Sequence, residues 1–135
     1  MIRVMQGIDV VGVKAVADMC RRHPAFLRET FTDEERAYCD AQADPAPHLA
    51  ARFAAKEAAL KALGLGLAGP EGVGVLGAVE VVRRPSGRPE LRLAGWPARM
   101  ASRRRVQQTT VSLSHGAGVA MASVVMVADE ASEEE

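Results

Sequence analysis

Apolar and β-branched residues dominate positions 2–10, interrupted by Arg3, Gln6 and Asp9, and this pattern predicts a first strand with a carboxylate near its end. Val13, Val16, Ala17 and Cys20 then recur at helical spacing, so a helix is expected over 11–22, stopped by Pro24. Thr32 followed three residues later by Glu35 is a capping box, which starts a second helix at Thr32 that runs to about Ala41. Residues 44–47, with Pro45 and Pro47, read as a loop. The third helix is the clearest: 48–63 is rich in Ala, Leu, Lys and Glu, has no Gly or Pro, and stops at Gly64 in a C-cap position.

Six glycines and Pro70 fill 64–77, which predicts a mobile loop leading into a strand over 78–83. A turn at 85–87 returns the chain as a strand over 90–93. A short helix is expected over 97–105, with Pro97 in its first turn. Strands over 109–114 and 119–127 then form a hairpin around His115-Gly116-Ala117-Gly118. The order is strand, three helices, two strands, helix, two strands. This is an α+β pattern of antiparallel hairpins without βαβ alternation, in one domain over 1–128. Residues 129–135 form an acidic tail expected to be disordered.

With 135 residues, 48% of them hydrophobic, the chain suits one core. Aromatics make up only 4%, so that core is built from small aliphatic side chains, which hints at a partner subunit completing it. Cys20 and Cys39 have no metal-site spacing. The start of the chain does not read as a signal peptide, and no apolar run reaches the ~18 residues of a membrane span. A cytoplasmic protein with reduced thiols is the expectation. Formal charge is zero, but five acids crowd the last seven positions, leaving 17 bases against 12 acids in the body. A basic body suits an anionic partner. Nucleic acid is disfavoured, because aromatics are scarce and no binding motif accompanies the Arg clusters.

Glu57 and Lys61 are four apart and share a helix face, with Phe53 one turn earlier on the same stripe. By spacing alone this is equally an exposed ion pair worth ~0.3–0.5 kcal/mol. Asp9 is costly to bury unless paired or bound to a cation. It could equally cap a helix, or join Glu57 as a hard oxygen ligand. Arg52, Lys56 and the Gly64-Leu65-Gly66 turn could meet phosphates. His115 reads as a turn histidine.

Gly7-Ile8-Asp9-Val10-Val11, Phe31-Thr32-Asp33-Glu34-Glu35, Arg52-Phe53-Ala54-Ala55-Lys56-Glu57-Ala58 with Lys61-Ala62-Leu63-Gly64, Ser86-Gly87-Arg88-Pro89 and Val111-Ser112-Leu113-Ser114-His115 together resemble the holo-acyl-carrier-protein synthase family, the small 4′-phosphopantetheinyl transferases. The blocks keep the family's order over nearly the whole chain. The resemblance implies the phosphopantetheinyl transferase fold. It also implies transfer of 4′-phosphopantetheine from coenzyme A to a serine of an acyl carrier protein, in fatty acid or polyketide biosynthesis, with release of 3′,5′-ADP. It implies Mg²⁺ on Asp9 and Glu57, and Lys61 beside the pyrophosphate. Glu57, or a metal-bound water that it orients, would accept the serine proton. Coenzyme A contacts are expected from Arg52, Lys61, Gly64, Gly87, Pro89, Ser114 and His115, in sites between the subunits of a homotrimer.

The family usually places an acid three positions after the first Asp and an arginine a little further on, where this chain has Gly12 and Ala15. Carrier docking is therefore expected from Lys14, Arg21, Arg22 and Arg28. Leu65 replaces the family's usual threonine in the turn after the long helix. The alternative function is a catalytically silent relative that binds coenzyme A or a carrier protein as an accessory subunit.

Overall fold

The computed structural model describes residues 1–65 and 72–129. Strand β1 (Ile2–Gly12) opens the chain, and β4 (Val106–Gly116) and β5 (Val119–Asp129) close it. The three form an antiparallel sheet in the order β1-β5-β4. Each strand is longer than its apolar run predicts, because pairing along the full register carries polar positions such as Gln108, just past a bulge at Gln107, into the ladder. The hairpin between β4 and β5 turns at Ala117 (φ 54°) and Gly118 (φ 80°). Two successive positive φ values match the right-handed twist of the strands they join. Val13 N–H donates to the Gly118 carbonyl, which ties the next element to this turn.

Helix α1 (Val13–Arg22) ends as predicted, but Pro24 also begins a further helix, α2 (Pro24–Thr30). Four helices therefore precede the second hairpin, rather than three. A proline stops the preceding helix, yet its fixed φ suits the first position of the next one. Helix α3 (Asp33–Asp40) carries the predicted capping box: Thr32 N–H donates to Glu35 Oε1 and Glu35 N–H to Thr32 Oγ1.

Helix α4 (Pro45–Ala62) starts earlier than its composition suggests, because Asp44 caps it and Pro45 occupies its first turn. The prolines that read as a loop are thus the start of the helix. At the other end, Gly64 (φ 76°) donates to the Lys61 carbonyl and Leu65 to the Leu60 carbonyl. This pair of bonds is a Schellman stop, and it accounts for Gly64 structurally.

A 3₁₀ segment (Gly72–Ala78) occupies part of the predicted loop, and residues 66–71 of that loop lie outside the described residues. The small hairpin of β2 (Val79–Arg83) and β3 (Pro89–Leu93) follows. Helix α5 (Gly95–Arg103) then begins two residues before Pro97 and ends before Arg105, which takes a positive φ of 60° to lead into β4. The acidic tail after Asp129 lies outside the described residues.

Helix α4 lies across the three-stranded sheet and packs on all of its strands. Its Ala54, Ala55, Ala58 and Ala59 are fully buried. The facing row of β5 is buried and aliphatic: Ala120, Ala122, Val124, Met126 and Ala128. This close helix–sheet packing explains how a core with few aromatics is filled. The opposite face of β1 is apolar and open, with Ile2, Val4, Ile8 and Val10 all more than half exposed.

Candidate active site

Asp9 projects from β1 toward α4, because Gly7, Asp9 and Val11 form the inward row of that strand. It is 9% exposed. Lys61, in the last turn of α4, donates from Nζ to Asp9 Oδ1 at 2.9 Å and to the Ile8 carbonyl at 3.1 Å. Asp9 Oδ2 is buried and meets no donor among the described residues. Glu57, a turn before Lys61, lies within electrostatic reach of Asp9 and Lys61. Burial pushes the Glu57 carboxyl up to about 7; the neighbouring Asp9 adds to the rise and Lys61 offsets part of it. The Asp9 bond raises the Lys61 ammonium above its ordinary value.

The structure therefore brings Asp9, Glu57 and Lys61 together. Lys61 pairs with Asp9, Glu57 adds a second carboxylate within electrostatic reach of both, and one buried Asp9 oxygen has no donor among the described residues. That donor set fits a small hard cation, since Mg²⁺ takes one or two protein carboxylates and completes its shell with water and phosphate oxygens. Among the described residues, no cluster of three or more His, Cys, Asp or Glu side chains offers a closed all-protein cage.

The remaining predicted contacts gather elsewhere. Arg52 is buried on α4, with its guanidinium 4.3 Å from the centre of the Tyr38 ring; that of Arg83 lies 5.0 Å from the same ring. Arg52 donates to the His48 carbonyl at 3.4 Å, while its Nε is buried with no partner among the described residues. The His48 ring meets the His115 ring edge-on at 5.2 Å. Burial lowers the pKa of His48, and His115, Arg52 and Arg83 lower it further. A cleft of about 490 Å³ between the small hairpin and β4 is lined by Arg83, Arg88, Pro89 and Ser112, among others. Gly87 makes the adjoining turn with φ 91°, and Ser114 is exposed beside His115 on β4.

These two groups flank α4. Asp9 pairs with Ala122 from β1, and His115 pairs with Ala120 from β4, so two strand spacings, about 10 Å, separate their strands with the helix above. On the helix itself, Arg52 and Glu57 point about 140° apart. A single chain thus presents the expected coenzyme A contacts on two sides. Tyr38, His48 and Arg83 belong to the second group; His48 stands one helix turn before Arg52, while nothing in the spacing marks Tyr38 or Arg83.

Lys56 does not reach either group. It is fully buried, bonded to Glu35 Oε1 at 2.7 Å and to the carbonyls of Leu76 and Val79. The expectation that it could meet phosphate gives way to a structural role. On α1, Asp18 binds both Lys14, at 3.3 Å, and Arg21, at 2.8 Å, which holds its own carboxyl below the usual range. Arg22 ends α1 and Arg28 lies on α2. Beside them opens an apolar hollow of about 520 Å³ bordered by Ala15, Met19, Phe26 and Phe53.

The sequence profile of the 4′-phosphopantetheinyl transferase superfamily matches residues 5–122. A holo-[acyl-carrier-protein] synthase of Anaeromyxobacter sp. (strain K) is 48% identical over 124 residues, 89% of this chain and 92% of that relative. A coenzyme A complex of the synthase from Chronobacterium ammoniagenes aligns with a TM-score of 0.82 at 26% identity, covering 95% of this chain and 99% of that one. The Helicobacter pylori synthase in complex with coenzyme A aligns at 0.75 and 28% identity, covering 90% and 99%.

Proposed function

This chain belongs to the 4′-phosphopantetheinyl transferase superfamily, and on that premise we propose how its residues work as a holo-acyl-carrier-protein synthase. It transfers 4′-phosphopantetheine from coenzyme A to a serine hydroxyl of an apo acyl carrier protein. The serine oxygen forms a bond to the pantetheine-bearing phosphorus, the pyrophosphate P–O bond breaks, and 3′,5′-ADP leaves. The observation that carries the assignment of the centre is the Asp9–Glu57–Lys61 cluster with its unpartnered buried oxygen.

Asp9 and Glu57 would hold Mg²⁺, which would neutralise pyrophosphate charge and make the phosphorus more open to attack. Lys61, half-exposed and anchored by Asp9, offsets the negative charge that grows on the leaving 3′,5′-ADP. Glu57, or a water that it orients, would take the serine proton. Arg52 and His115, with the Arg88–Pro89 hairpin, bind the nucleotide end of coenzyme A. Mixing the protein with coenzyme A, Mg²⁺ and an apo carrier, then weighing the carrier, tests this directly. A gain of one phosphopantetheine is expected; an unmodified carrier would favour an accessory, non-catalytic role.

A homotrimer with shared sites is supported by two observations. The two groups of contacts flank α4 on one chain, so a second copy can bring its Arg52 side to the first copy's Asp9 side. The open apolar face of β1 also needs a cover. Sedimentation equilibrium should therefore give three times the 14.3 kDa chain mass. Val4→Glu, at a position 62% exposed in the single chain, should release folded monomers and lower transfer by roughly 100-fold or more. A fully active monomer would exclude shared sites. The activity is placed in the cytoplasm, where Cys20 and Cys39 stay reduced; both are buried, and burial pushes the Cys39 thiol up to about 11.

Carrier docking on α1 and α2 combines the apolar hollow with the bases around it. Asp18 neutralises part of that basic surface by holding Lys14 and Arg21. Asp18→Asn should free both and lower the carrier KM about two- to fivefold at low salt, with kcat unchanged and the gain erased as salt screens it. A KM indifferent to this change and to Arg22→Glu would place docking on the apolar hollow alone.

A further inference from the structure

Gly7 lies two residues before Asp9 in the inward row of β1, where the strand comes closest to α4. A Cβ there would stand 2.0 Å from the Ala58 carbonyl oxygen and 2.7 Å from the Ala62 amide nitrogen. Both are backbone atoms and cannot swing aside, so with any side chain at Gly7 the helix must withdraw by about 1.4 Å to reach an ordinary contact.

What would withdraw is half of the site. The Ala58 carbonyl lies one residue beyond Glu57, and the Ala62 amide belongs to the Lys61–Ala62 peptide. The two backbone groups that touch Gly7 are therefore next to the residues that face Asp9. On the strand side, Asp9 Oδ2 is buried without a donor, and Lys61 spans the gap to Asp9 Oδ1 and the Ile8 carbonyl at 2.9 and 3.1 Å.

We propose that Gly7 is a positioning residue: its missing side chain sets the separation between the Asp9 carboxylate on the strand and Glu57 on the helix, and so selects a small divalent cation. This rests on the reading of Asp9 and Glu57 as the metal ligands. Mg²⁺ holds its oxygens at about 2.0–2.1 Å and Ca²⁺ at about 2.3–2.6 Å, so a carboxylate pair moved apart loses the smaller ion first.

Mn²⁺ alone is the probe, titrated into the full chain and followed by the electron paramagnetic resonance signal of the free ion. Wild type should bind it and Asp9→Ala should not. Gly7→Ala, still melting cooperatively, should bind at least tenfold more weakly, with Ca²⁺ gaining on Mg²⁺ as a competitor. Its kcat should fall while the carrier KM stays within about twofold. Gly77→Ala supplies a comparable collision away from the site, its Cβ meeting the Glu29 carbonyl oxygen at 2.5 Å, and should keep wild-type Mn²⁺ affinity. A folded Gly7→Ala protein with wild-type affinity and selectivity overturns the inference and leaves the two-carboxylate reading standing. An Asp9→Ala protein that binds Mn²⁺ like wild type overturns both. If Gly7→Ala does not fold, Ala58→Ser adds one atom at a fully buried alanine beside Glu57. Weakened Mn²⁺ binding in that variant supports the proposal, and unchanged binding overturns it.

Discussion

Alanine in place of Asp9 or Glu57 is expected to slow carrier modification by roughly 10³-fold or more while leaving a cooperatively folding protein. The catalytic loss follows from what each carboxylate does for the metal and for proton transfer. The retention of fold follows from what they do not do for the apo chain. Asp9 Oδ2 makes no bond to a donor among the described residues, and Glu57 is held near neutrality by burial and by Asp9 itself. Removing Glu57 relieves repulsion on Asp9, so its Tm without metal should be unchanged or higher; removing Asp9 also frees the half-exposed Lys61, so there the Tm should change little. Added Mg²⁺ should raise the Tm of wild type and of neither variant, since a ligand stabilises only the state that binds it. Carrier mass measured over time and thermal melts with and without Mg²⁺ check the two halves separately. Full activity in either variant would remove Asp9 and Glu57 as the metal centre.

The fold was legible where local signals and tertiary demands agree. The capping box at Thr32 and Glu35, the Gly64 stop of α4 and the Ala117–Gly118 turn all stand where the residues predict them, because backbone geometry alone decides those positions. Prolines misled in both directions. Pro24 and Pro45 read as breaks, yet each starts a helix, and the seven-residue α2 is too short to show a period. The site divides along the same line. Helix spacing puts Glu57 with Lys61, but no spacing links them to Asp9 some fifty residues earlier; that pairing rested on the family resemblance. His48 lies one turn before Arg52 on α4, which spacing shows; Tyr38 and Arg83 meet Arg52 or its stacking ring, and His115 meets His48, only through the packing of α3, β2 and β4 against α4, which leaves no trace in sequence order. Lys56 sits among Ala55, Ala59 and Leu60, and small and apolar neighbours of this kind mark an enclosed face, where a lysine needs a partner.

That partner makes the second large prediction. Glu35 serves the capping box, accepts from Val81 N–H at 2.7 Å and pairs with Lys56, both side chains being 0% exposed. Burial pulls the Lys56 pKa down, and the Glu35 charge holds it up in part. Lys56→Met would leave the Glu35 carboxylate buried without its counter-charge, and breaking such a pair from one side costs about 3–5 kcal/mol. Against a domain stability of about 5–15 kcal/mol, the urea midpoint should fall steeply. Adding Glu35→Gln removes the stranded charge, while the Gln carbonyl can still accept from Val81. The double variant should therefore recover a substantial part of the loss, whereas a deficit caused by lost volume would not be repaired. Lys56 touches neither group of the candidate site, so the fraction that remains folded at low temperature should keep its KM for coenzyme A. A variant that folds normally but binds coenzyme A poorly would return Lys56 to the phosphate-binding role that its position in the sequence first suggested.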